Sequence, residues 1–499
     1  MLSRPTQRIQ VSMNNKGTEY YIEAGRRAAE WHAQKIAEMK QCRFDTIAVH
    51  GIYSMQEALD FNQGSTIEPI YMSTSQGYRD SDEMEAALSY QIPTWCYSRI
   101  ANPSMYYYEG VLALLESYKT GVDASCIGVS SGMSAVQSAV DPFLVVDPKR
   151  PGAPINFVGT AQVYGGTFQH FAQRKEADRG FQWRRVFEST DLAEWEAQID
   201  ENTRFLYGEL PSNPSQSFFD VAAVAALAHK HGIPLIVDST VATPALLRPL
   251  EHGADIVVQS VTKSLAGGGF GISGAVIARK GIPSRVGPDE MKADFCGYLK
   301  LIPNRDNGPN ISPMNAVLAL NDIRTIRSRM DFMSRSTMKV AEFLSGHKHV
   351  ASVEYLGLPS HPQHELASRY MYLVDAEADD LYQGPVNRYG HLMSFTVAGS
   401  PQNARNVFDG FQRIFRATDL GRTKSIATIP AISTHQQQGE ENRAKTGISP
   451  NLIRLCVGAE HPDDIIADIS RALDVLDGKT ISVSAPEYSA AGASSARLR

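Results

Sequence analysis

The sequence has few cysteines, little excess charge and no long hydrophobic run. Its five cysteines are scattered over 499 residues and form no CxxC pair, which argues against a disulfide framework and against a structural zinc site. A net charge of −6, from 48 basic and 54 acidic side chains, does not suggest a nucleic-acid partner. No segment has the composition of a signal peptide or a bilayer-spanning helix. We therefore expect a cytoplasmic protein with no metal site and no membrane or nucleic-acid partner.

Between about residues 105 and 280, helical patterns alternate with short apolar runs. Strands that alternate with helices predict a mostly parallel sheet covered on both faces, and hence an α/β fold. The six runs are CIGVS, INFVG, RFLYGEL, PLIVDS, DIVVQS and SGAVIA.

The rest of the chain suggests a division into four parts. Residues 18–41 have the pattern of an amphipathic helix, and an irregular stretch is expected from there to about Thr94. A long helical stretch begins near Ser312, and residues 462–477 form another amphipathic pattern. The expected parts are an N-terminal arm (1–62), a large domain (63–315), a smaller C-terminal α/β domain (316–478) and a disordered tail (479–499).

Two polar residues follow neighbouring apolar runs, Asp238 after PLIV and Lys263 shortly after DIVV. Ligands of open α/β sheets bind outside the carboxyl ends of the strands, so both residues belong to one edge of the sheet. A lysine amine can hold the aldehyde of pyridoxal phosphate as a Schiff base, and a carboxylate can keep the pyridine nitrogen protonated. Taken singly, Asp238 would be a helix cap and Lys263 a solvated loop lysine. Together they indicate a pyridoxal phosphate enzyme.

A phosphate site is indicated where SSGM follows the apolar run CIGV. The free amides of a helix that begins near Gly132 suit an anion, and Ser131 could add a hydroxyl. The same turn is common in proteins without any ligand. Its position directly after a strand favours the phosphate interpretation.

Three further segments carry candidate binding residues, each with an ordinary alternative. Tyr164, beside two glycines, could lie flat on a planar ring or be a core tyrosine at a turn. Tyr97 and Arg99 point to one side of an extended segment and suit phosphate, although an exposed arginine is common. Arg454 lies within an apolar run, where either a substrate carboxylate or an internal ion pair could be its partner.

These segments together resemble the Cys/Met-metabolism (trans-sulfuration) family of pyridoxal phosphate enzymes with fold type I. The resemblance runs from about Ile67 to Asp477 and is nearest in motif to O-acetylhomoserine sulfhydrylases, cystathionine γ-synthases and methionine γ-lyases. It implies a mostly parallel seven-stranded sheet. The pieces that carry it, in family order, are YSRIANPS, SSGM, VYGGT, ELPSNP, VDSTVATPALLRPLEHGADIVVQSVTKSL, GLPSHPQHELA and GISPNLIRLCVGAEHPDDIIADI.

The resemblance also implies roles for individual residues. Lys263 would hold the cofactor, Asp238 would pair with the pyridine nitrogen, and Tyr164 would stack on the ring. Asn213 would touch the ring hydroxyl and Arg454 would bind the substrate carboxylate. The phosphate would be held by Ser131, Gly132, Met133, Ser260 and Thr262.

In this family the Tyr-Ser-Arg segment reaches the neighbouring subunit's site. The resemblance therefore implies that Tyr97 and Arg99 serve a partner's cofactor, and that the chain forms a homo-oligomer, usually a dimer of dimers.

The implied reaction is γ-replacement on an activated homoserine-type amino acid, as in O-acetylhomoserine sulfhydrylases. Loss of protons at Cα and Cβ lets the γ-substituent leave and gives a vinylglycine-type intermediate. A nucleophile that adds at Cγ produces a new amino acid. Hydrolysis instead gives a 2-oxo acid and ammonia, which is the alternative, a γ-lyase acting on methionine, cystathionine or a cationic analogue such as canavanine.

Two departures from the family bear on the substrate. Methionine γ-lyases carry a cysteine where this chain has Gly166, which favours replacement over that elimination. Asp419 stands where the family often has a serine. A carboxylate there would repel a substrate carboxylate unless it paired with Arg454, Arg422 or Lys424. The alternative is that it recruits a cationic side chain of the substrate. A non-catalytic nucleotide-binding protein receives little support, because no suitably placed GxGxxG and no GxxxxGK[ST] occur.

Overall fold

The computed structural model describes residues 16–89, 91, 95–147 and 150–479. Within them the chain forms two mixed β-sheets that helices cover. The strands are β1 (Ala124–Val129), β2 (Asn156–Thr160), β3 (Gln182–Val186), β4 (Thr203–Glu209), β5 (Leu235–Asp238), β6 (Ile256–Gln259), β7 (Gly274–Arg279), β8 (Val350–Glu354), β9 (Leu392–Val397), β10 (Phe415–Arg416), β11 (Ile426–Thr428) and β12 (Leu452–Cys456).

The α-helices vary from one to six turns. They are α1 (Thr18–Met39), α2 (Phe44–His50), α3 (Met55–Phe61), α4 (Ser81–Leu88), α5 (Pro103–Glu116), α6 (Gly132–Val140), α7 (Gly165–Gln169), α8 (Leu192–Ala197), α9 (Val221–Lys230), α10 (Thr243–Leu246), α11 (Asp289–Ala293), α12 (Phe295–Leu301), α13 (Pro303–Asn307), α14 (Pro313–Ile323), α15 (Ile326–Ser345), α16 (His364–Ser368), α17 (Pro401–Asp409), α18 (Gly439–Lys445) and α19 (Pro462–Leu473). A π-helical segment, His170–Ala177, continues α7. Short 3-10 turns cover Asp141–Phe143, Pro249–His252, Ser264–Ala266, Ala376–Ala378, Pro430–Ile432, Gln436–Gln438 and Asp474–Asp477.

The larger sheet has seven strands in the order β1-β7-β6-β5-β4-β2-β3. The strands from β2 to β6 are parallel, and β7 is antiparallel to both of its neighbours, β1 and β6. Strands β4 and β6 are buried along their whole length because helices cover both faces. The sheet is seven-stranded and mostly parallel, as predicted.

The smaller sheet has five strands in the order β10-β11-β12-β9-β8. Its pairs are antiparallel except β10 with β11. Apolar residues of α15, α17 and α19 share one core with β9 and β12. This sheet matters for function because β12 carries Arg454 and the segment before β11 carries Asp419.

All six apolar runs form strands, so those predictions are confirmed. The sequence pattern missed β3, since Arg184 and Arg185 interrupt its apolar character. It is an edge strand, and these arginines form ion pairs with Asp200 and Glu176 at 2.7 and 2.5 Å.

The helix predicted for residues 18–41 is confirmed, but the irregular stretch expected up to about Thr94 is wrong. Helices α2, α3 and α4 lie within it. They are seven or eight residues long, too short for a clear periodic pattern, and tertiary packing stabilises them. Phe44 and Ile47 of α2, for example, belong to the main core.

The helical stretch from Ser312 divides at Arg324–Thr325 into α14 and α15, and the C-terminal helix is confirmed as α19. The division into arm, two domains and tail stays a prediction. Of the expected tail, residues 480–499 lie outside the described part of the chain. Among the described residues, no helix is both long and apolar enough to cross a bilayer.

Candidate active site

An open cavity lies at the carboxyl ends of the central strands of the larger sheet. Nine of the residues singled out in the sequence line it: Ser131, Gly132, Met133, Tyr164, Asn213, Asp238, Ser260, Thr262 and Lys263. The positions of the apolar runs therefore predicted where the cavity lies. Residues far apart in sequence meet there because the carboxyl ends of parallel strands lie at one edge of the sheet.

The first turn of α6 forms one wall of the cavity. Ser131 is its N-cap and accepts a hydrogen bond from the amide of Ser134 at 3.1 Å, while the first amides of a helix have no intrahelical partner. A Cβ on Gly132 would lie 2.5 Å from the Cβ of Ser260. Glycine thus lets the helix start approach the end of β6, which leaves a cradle of backbone and hydroxyl groups suited to phosphate.

Thr262 contributes to this wall in a different way from Ser131. Its hydroxyl donates to the carbonyl of Ser273 at 2.9 Å and accepts from the amide of the same residue at 3.0 Å. The side chain therefore fixes the turn beside the phosphate cradle.

Two carboxyl groups stand side by side at the ends of β4 and β5. Asp238 and Glu209 are paired in register, and burial raises the pKa of both groups above their usual range. Asp238 accepts a hydrogen bond from the amide of Thr240 at 3.0 Å, and Glu209 accepts one from the amide of Tyr164 at 2.7 Å. A cationic group in the cavity would stabilise the ionised form of Asp238.

Lys263 lies in a turn that two distant arginines hold. Arg422 donates to the carbonyls of Thr262 and Ala266 at 2.7 and 3.1 Å. Arg329 donates to the carbonyls of Ser264 and Leu265 at 2.7 and 3.2 Å. The backbone around the lysine is therefore fixed by side chains from two distant segments.

The amine of Lys263 contacts the carboxylate of Asp419, with 2.5 Å between Nζ and Oδ1. The other oxygen of Asp419 accepts from Nε of Arg422, also at 2.5 Å. Burial raises the pKa of Asp419, but Lys263 and Arg422 outweigh it and the pKa is lowered overall. Of the three partners that the sequence suggested for Asp419, its carboxylate pairs with Arg422. Lys424 instead lies over the ring of Phe415.

Tyr164 lies at the start of α7, with its ring against Gly166. A Cβ on Gly166 would lie 2.5 Å from Cε1 of Tyr164 and 3.2 Å from the sulfur of Met133. Burial raises the pKa of the Tyr164 phenol, and the nearby Arg454 only partly opposes this. The phenol therefore stays protonated near neutral pH and can donate a hydrogen bond.

Arg454 is fully buried in β12 and is not among the residues that line the cavity. It donates to Oδ1 of Asn213 at 3.2 Å and to the main-chain carbonyl of Asp419 at 2.8 Å. Within the described part of the chain no acidic side chain forms a salt bridge with it, and its Nε has no hydrogen-bond partner. An internal ion pair, one of the two explanations left open by the sequence, is not found there.

Tyr97 and Arg99 do not line the cavity of their own chain. The guanidinium of Arg99 lies over the ring of Tyr97 at 5.4 Å and donates to the carbonyl of Arg305. Tyr97 is 45% exposed. Both residues therefore lie at the surface, and their contribution to a partner's site stays a prediction.

Sequence reasoning missed Glu209 and Arg329 as parts of the site, and it named Arg422 only as a possible partner of Asp419. Glu209 follows the run RFLYG at the end of β4, so the strand-end argument that found Asp238 would also have found it. No local signal predicts that Arg329 and Arg422 hold the lysine turn, because they reach it from positions about 65 and 160 residues away.

The cavity fits pyridoxal phosphate. It combines a lysine amine, a buried carboxyl group, a phosphate cradle at a helix start and a tyrosine ring, arranged around one space. A lysine and an acid at neighbouring strand ends of a seven-stranded α/β sheet define a pyridoxal phosphate enzyme of fold type I.

Comparison with known proteins agrees. The family model of the Cys/Met metabolism PLP-dependent enzymes matches residues 45–474. An O-succinylhomoserine sulfhydrylase from Pseudomonas aeruginosa is 32% identical over 448 residues, which are 90% of this chain and 99% of that protein. An L-methionine gamma-lyase from Pseudomonas deceptionensis is 34% identical over 438 residues, covering 88% of this chain and 98% of the relative.

A solved structure is similar as well. The putative O-acetylhomoserine (thiol)-lyase from Campylobacter jejuni contains an N'-pyridoxyl-lysine-5'-monophosphate residue. It matches with a TM-score of 0.75 and 30% identity, and the match covers 87% of this chain and all of that one. The chain therefore belongs to the Cys/Met metabolism family of pyridoxal phosphate-dependent enzymes.

The two glycines after Tyr164 are expected to respond differently to alanine. A Cβ on Gly165 would lie 1.8 Å from the main-chain oxygen of Thr434, whereas one on Gly166 meets only side chains. Gly165→Ala should lower the apparent melting temperature, with a cost in folding free energy of about 1–3 kcal/mol. Gly166→Ala should affect stability less and instead change the visible spectrum of the bound cofactor by moving Tyr164. Equal losses of melting temperature with unchanged spectra would contradict this assignment.

Proposed function

We propose that this enzyme catalyses γ-replacement on an activated homoserine-type amino acid, joining a nucleophile such as sulfide to Cγ. The observation that carries the proposal is Gly166. Its position next to the Tyr164 ring is where methionine γ-lyases have a cysteine, and here a glycine fills it. A relative named O-succinylhomoserine sulfhydrylase, 32% identical over 90% of the chain, supports the same reaction.

The proposed roles of the residues follow from their surroundings. Arg454, buried and without an acidic partner in the described residues, binds the substrate carboxylate, because an unpaired buried guanidinium is costly. Asn213, which accepts a hydrogen bond from Arg454, keeps that guanidinium in place. The same asparagine lines the cavity, where it would contact the ring hydroxyl of the cofactor.

Asp238 keeps the pyridine nitrogen protonated, and the first turn of α6 together with Ser260 binds the phosphate. Pyridoxal phosphate, when bound, serves as the acceptor for electrons that leave Cα of the substrate. Lys263 Nζ, once free, removes the proton from Cα and returns it later, and the protonated phenol of Tyr164 donates a hydrogen bond beside it.

A γ-lyase is the second candidate function. An L-methionine gamma-lyase is 34% identical over 88% of the chain, and the carboxylate of Asp419 beside Lys263 suits a substrate with a cationic γ-substituent. Canavanine is one amino acid of that kind.

Product analysis distinguishes the two reactions. The enzyme should be supplied with O-acetyl-, O-succinyl- or O-phosphohomoserine, and with methionine, cystathionine or canavanine, each with and without sulfide or methanethiol. Replacement predicts that a new amino acid forms only when the thiol is present, while 2-oxobutanoate forms slowly or not at all without it. A 2-oxo acid and ammonia released at the full rate without a nucleophile would contradict replacement.

We further propose that the active unit is a cytoplasmic homo-oligomer, a dimer of dimers, in which Tyr97 and Arg99 complete the site of a neighbouring subunit. The loop after Lys263 carries two strongly exposed apolar residues, Phe270 at 82% and Ile272 at 61%, and Ile272 also lines the cavity. An exposed apolar group at the edge of an active site is typical of a surface that another subunit covers.

Mixing two inactive variants tests the shared site. Lys263→Ala removes the lysine of its own subunit, and Arg99→Ala should disable the partner's site. In a mixed dimer, one site has both residues intact. Refolding the two variants together in equal amounts should therefore restore about a quarter of the wild-type activity, since half of the dimers are mixed and each has one complete site. If mixing restores nothing although each variant assembles, Arg99 does not serve the partner.

A further inference from the structure

A lysine that binds pyridoxal phosphate must alternate between a cofactor-bound state and a free state. The ion pair with Asp419 concerns the free state of Lys263. Nζ cannot bond to the cofactor's aldehyde carbon and remain an ammonium at 2.5 Å from Asp419 Oδ1. An ammonium contact of this kind is open to Lys263 only while its Nζ is not bonded to the cofactor.

We propose that Asp419 is the counter-ion of the displaced Lys263 and that it promotes exchange of the lysine for the substrate amine. The bond from Nζ to the aldehyde carbon breaks while a bond from the substrate nitrogen to the same carbon forms. One ammonium enters with the substrate and one leaves as Lys263, so neither charge nor protons accumulate. Asp419 has a cationic partner at both ends of the exchange, first the substrate ammonium and then the lysine ammonium.

Arg422 prepares Asp419 for this task. Its Nε contacts Oδ2 at 2.5 Å, while Oδ1 contacts the amine of Lys263. The same guanidinium donates to the carbonyls of Thr262 and Ala266 on either side of the lysine turn. The carboxylate is thus fixed relative to the lysine backbone, and the lysine side chain alone has to move.

The main chain around Asp419 is fixed as well. The carbonyl of Asp419 accepts from Arg454 at 2.8 Å, and the amide of Gly421 donates to the sulfur of Cys456 at 3.0 Å. Gly421 has a φ of +75°, and a Cβ there would lie 2.5 Å from the amide nitrogen of Ser264. This glycine permits the close approach of the two segments that places Oδ1 beside Nζ. Side chains of Asp419 and Lys263 remain only 29% and 23% exposed, so water screens their attraction incompletely.

The proposal predicts opposite changes in two measurements on Asp419→Asn. Without the ion pair, the free-lysine state of the apoprotein is less stable, so pyridoxal phosphate should load faster. Displacement of the lysine by an amino acid should become less favourable. Loss of a partly buried ion pair should change the rate of cofactor loading and the binding constant of the amino acid by about threefold to tenfold each. Because general damage to the site would weaken both cofactor loading and amino-acid binding, it cannot produce this pattern.

The test uses the full-length protein and the spectrum of the cofactor, and it does not require turnover. Apoprotein is mixed with pyridoxal phosphate and the growth of visible absorbance gives the loading rate. The holoenzyme is then titrated with glycine, which has no γ-carbon, and with methylamine, which has no carboxylate. Asp419→Ser is a second variant in case Asp419→Asn folds poorly.

Asp322→Asn is the matched control. Asp322 accepts a hydrogen bond from the amide of Gly268 at 2.7 Å, so it is a carboxylate that contacts the same loop without contacting Lys263. Asp322→Asn should leave the rate of cofactor loading and the binding of glycine and methylamine within about twofold of wild type. Faster loading together with weaker binding of glycine and methylamine in Asp419→Asn supports the proposal. Slower loading, or tighter binding of glycine, would overturn it, the latter because Asp419 would then act by repelling the substrate carboxylate.

The inference rests on the cofactor chemistry of the family and not on γ-replacement. If product analysis shows elimination, the predicted changes for Asp419→Asn stay the same. Failure of one proposal is therefore distinguishable from failure of the other.

Discussion

Arg422 is the side chain on which the geometry of this active site depends. Its guanidinium binds Asp419 and also two carbonyls of the turn that carries Lys263. It thereby joins a segment of the smaller α/β region to the end of β6 in the larger sheet. Without such a link the distance between the lysine amine and the groups around it would vary, and amine exchange requires that distance to be small and reproducible.

Three carboxyl groups lie in or beside the cavity. Asp238 and Glu209 line it at neighbouring strand ends, and Asp419 lies beside the lysine. Burial raises the pKa of the first two, while Lys263 and Arg422 keep that of Asp419 low. Asp419 therefore stays ionised beside Lys263 and Arg422, and a cation in the cavity, such as a protonated pyridine nitrogen, would favour the ionised form of Asp238.

Much of this site was predictable from the sequence, for a physical reason. The carboxyl ends of parallel strands meet at one edge of a sheet, so Asp238, Lys263 and the turn at Ser131 could be placed together from the positions of apolar runs alone. The hydrogen bonds from Arg329 and Arg422 to the turn of Lys263 could not be predicted. Both arginines approach from elements whose packing the local sequence pattern does not reveal. Helices α2 to α4 could not be predicted either, because they are too short to show a clear helical period. The edge strand β3 was missed because its two arginines interrupt the apolar pattern.

The partners of the Asp419 carboxylate were left open by the sequence and are identified by the structure. The sequence suggested either a pairing with Arg454, Arg422 or Lys424 or the recruitment of a cation. The carboxylate contacts Arg422 and Lys263, while Arg454 contacts only the main chain of the same residue. Arg454 forms no salt bridge with an acidic side chain among the described residues, and its binding of a substrate carboxylate stays a prediction.

The most direct test of this account is chemical identification of the lysine that binds the cofactor. The holoenzyme is reduced with borohydride, digested, and its peptides are analysed by mass spectrometry for a pyridoxyl-phosphate adduct. The account predicts the adduct on Lys263 and a loss of labelling at that peptide when excess amino acid is added before reduction. An adduct on any other lysine, in native holoenzyme loaded with one cofactor per chain, would contradict it.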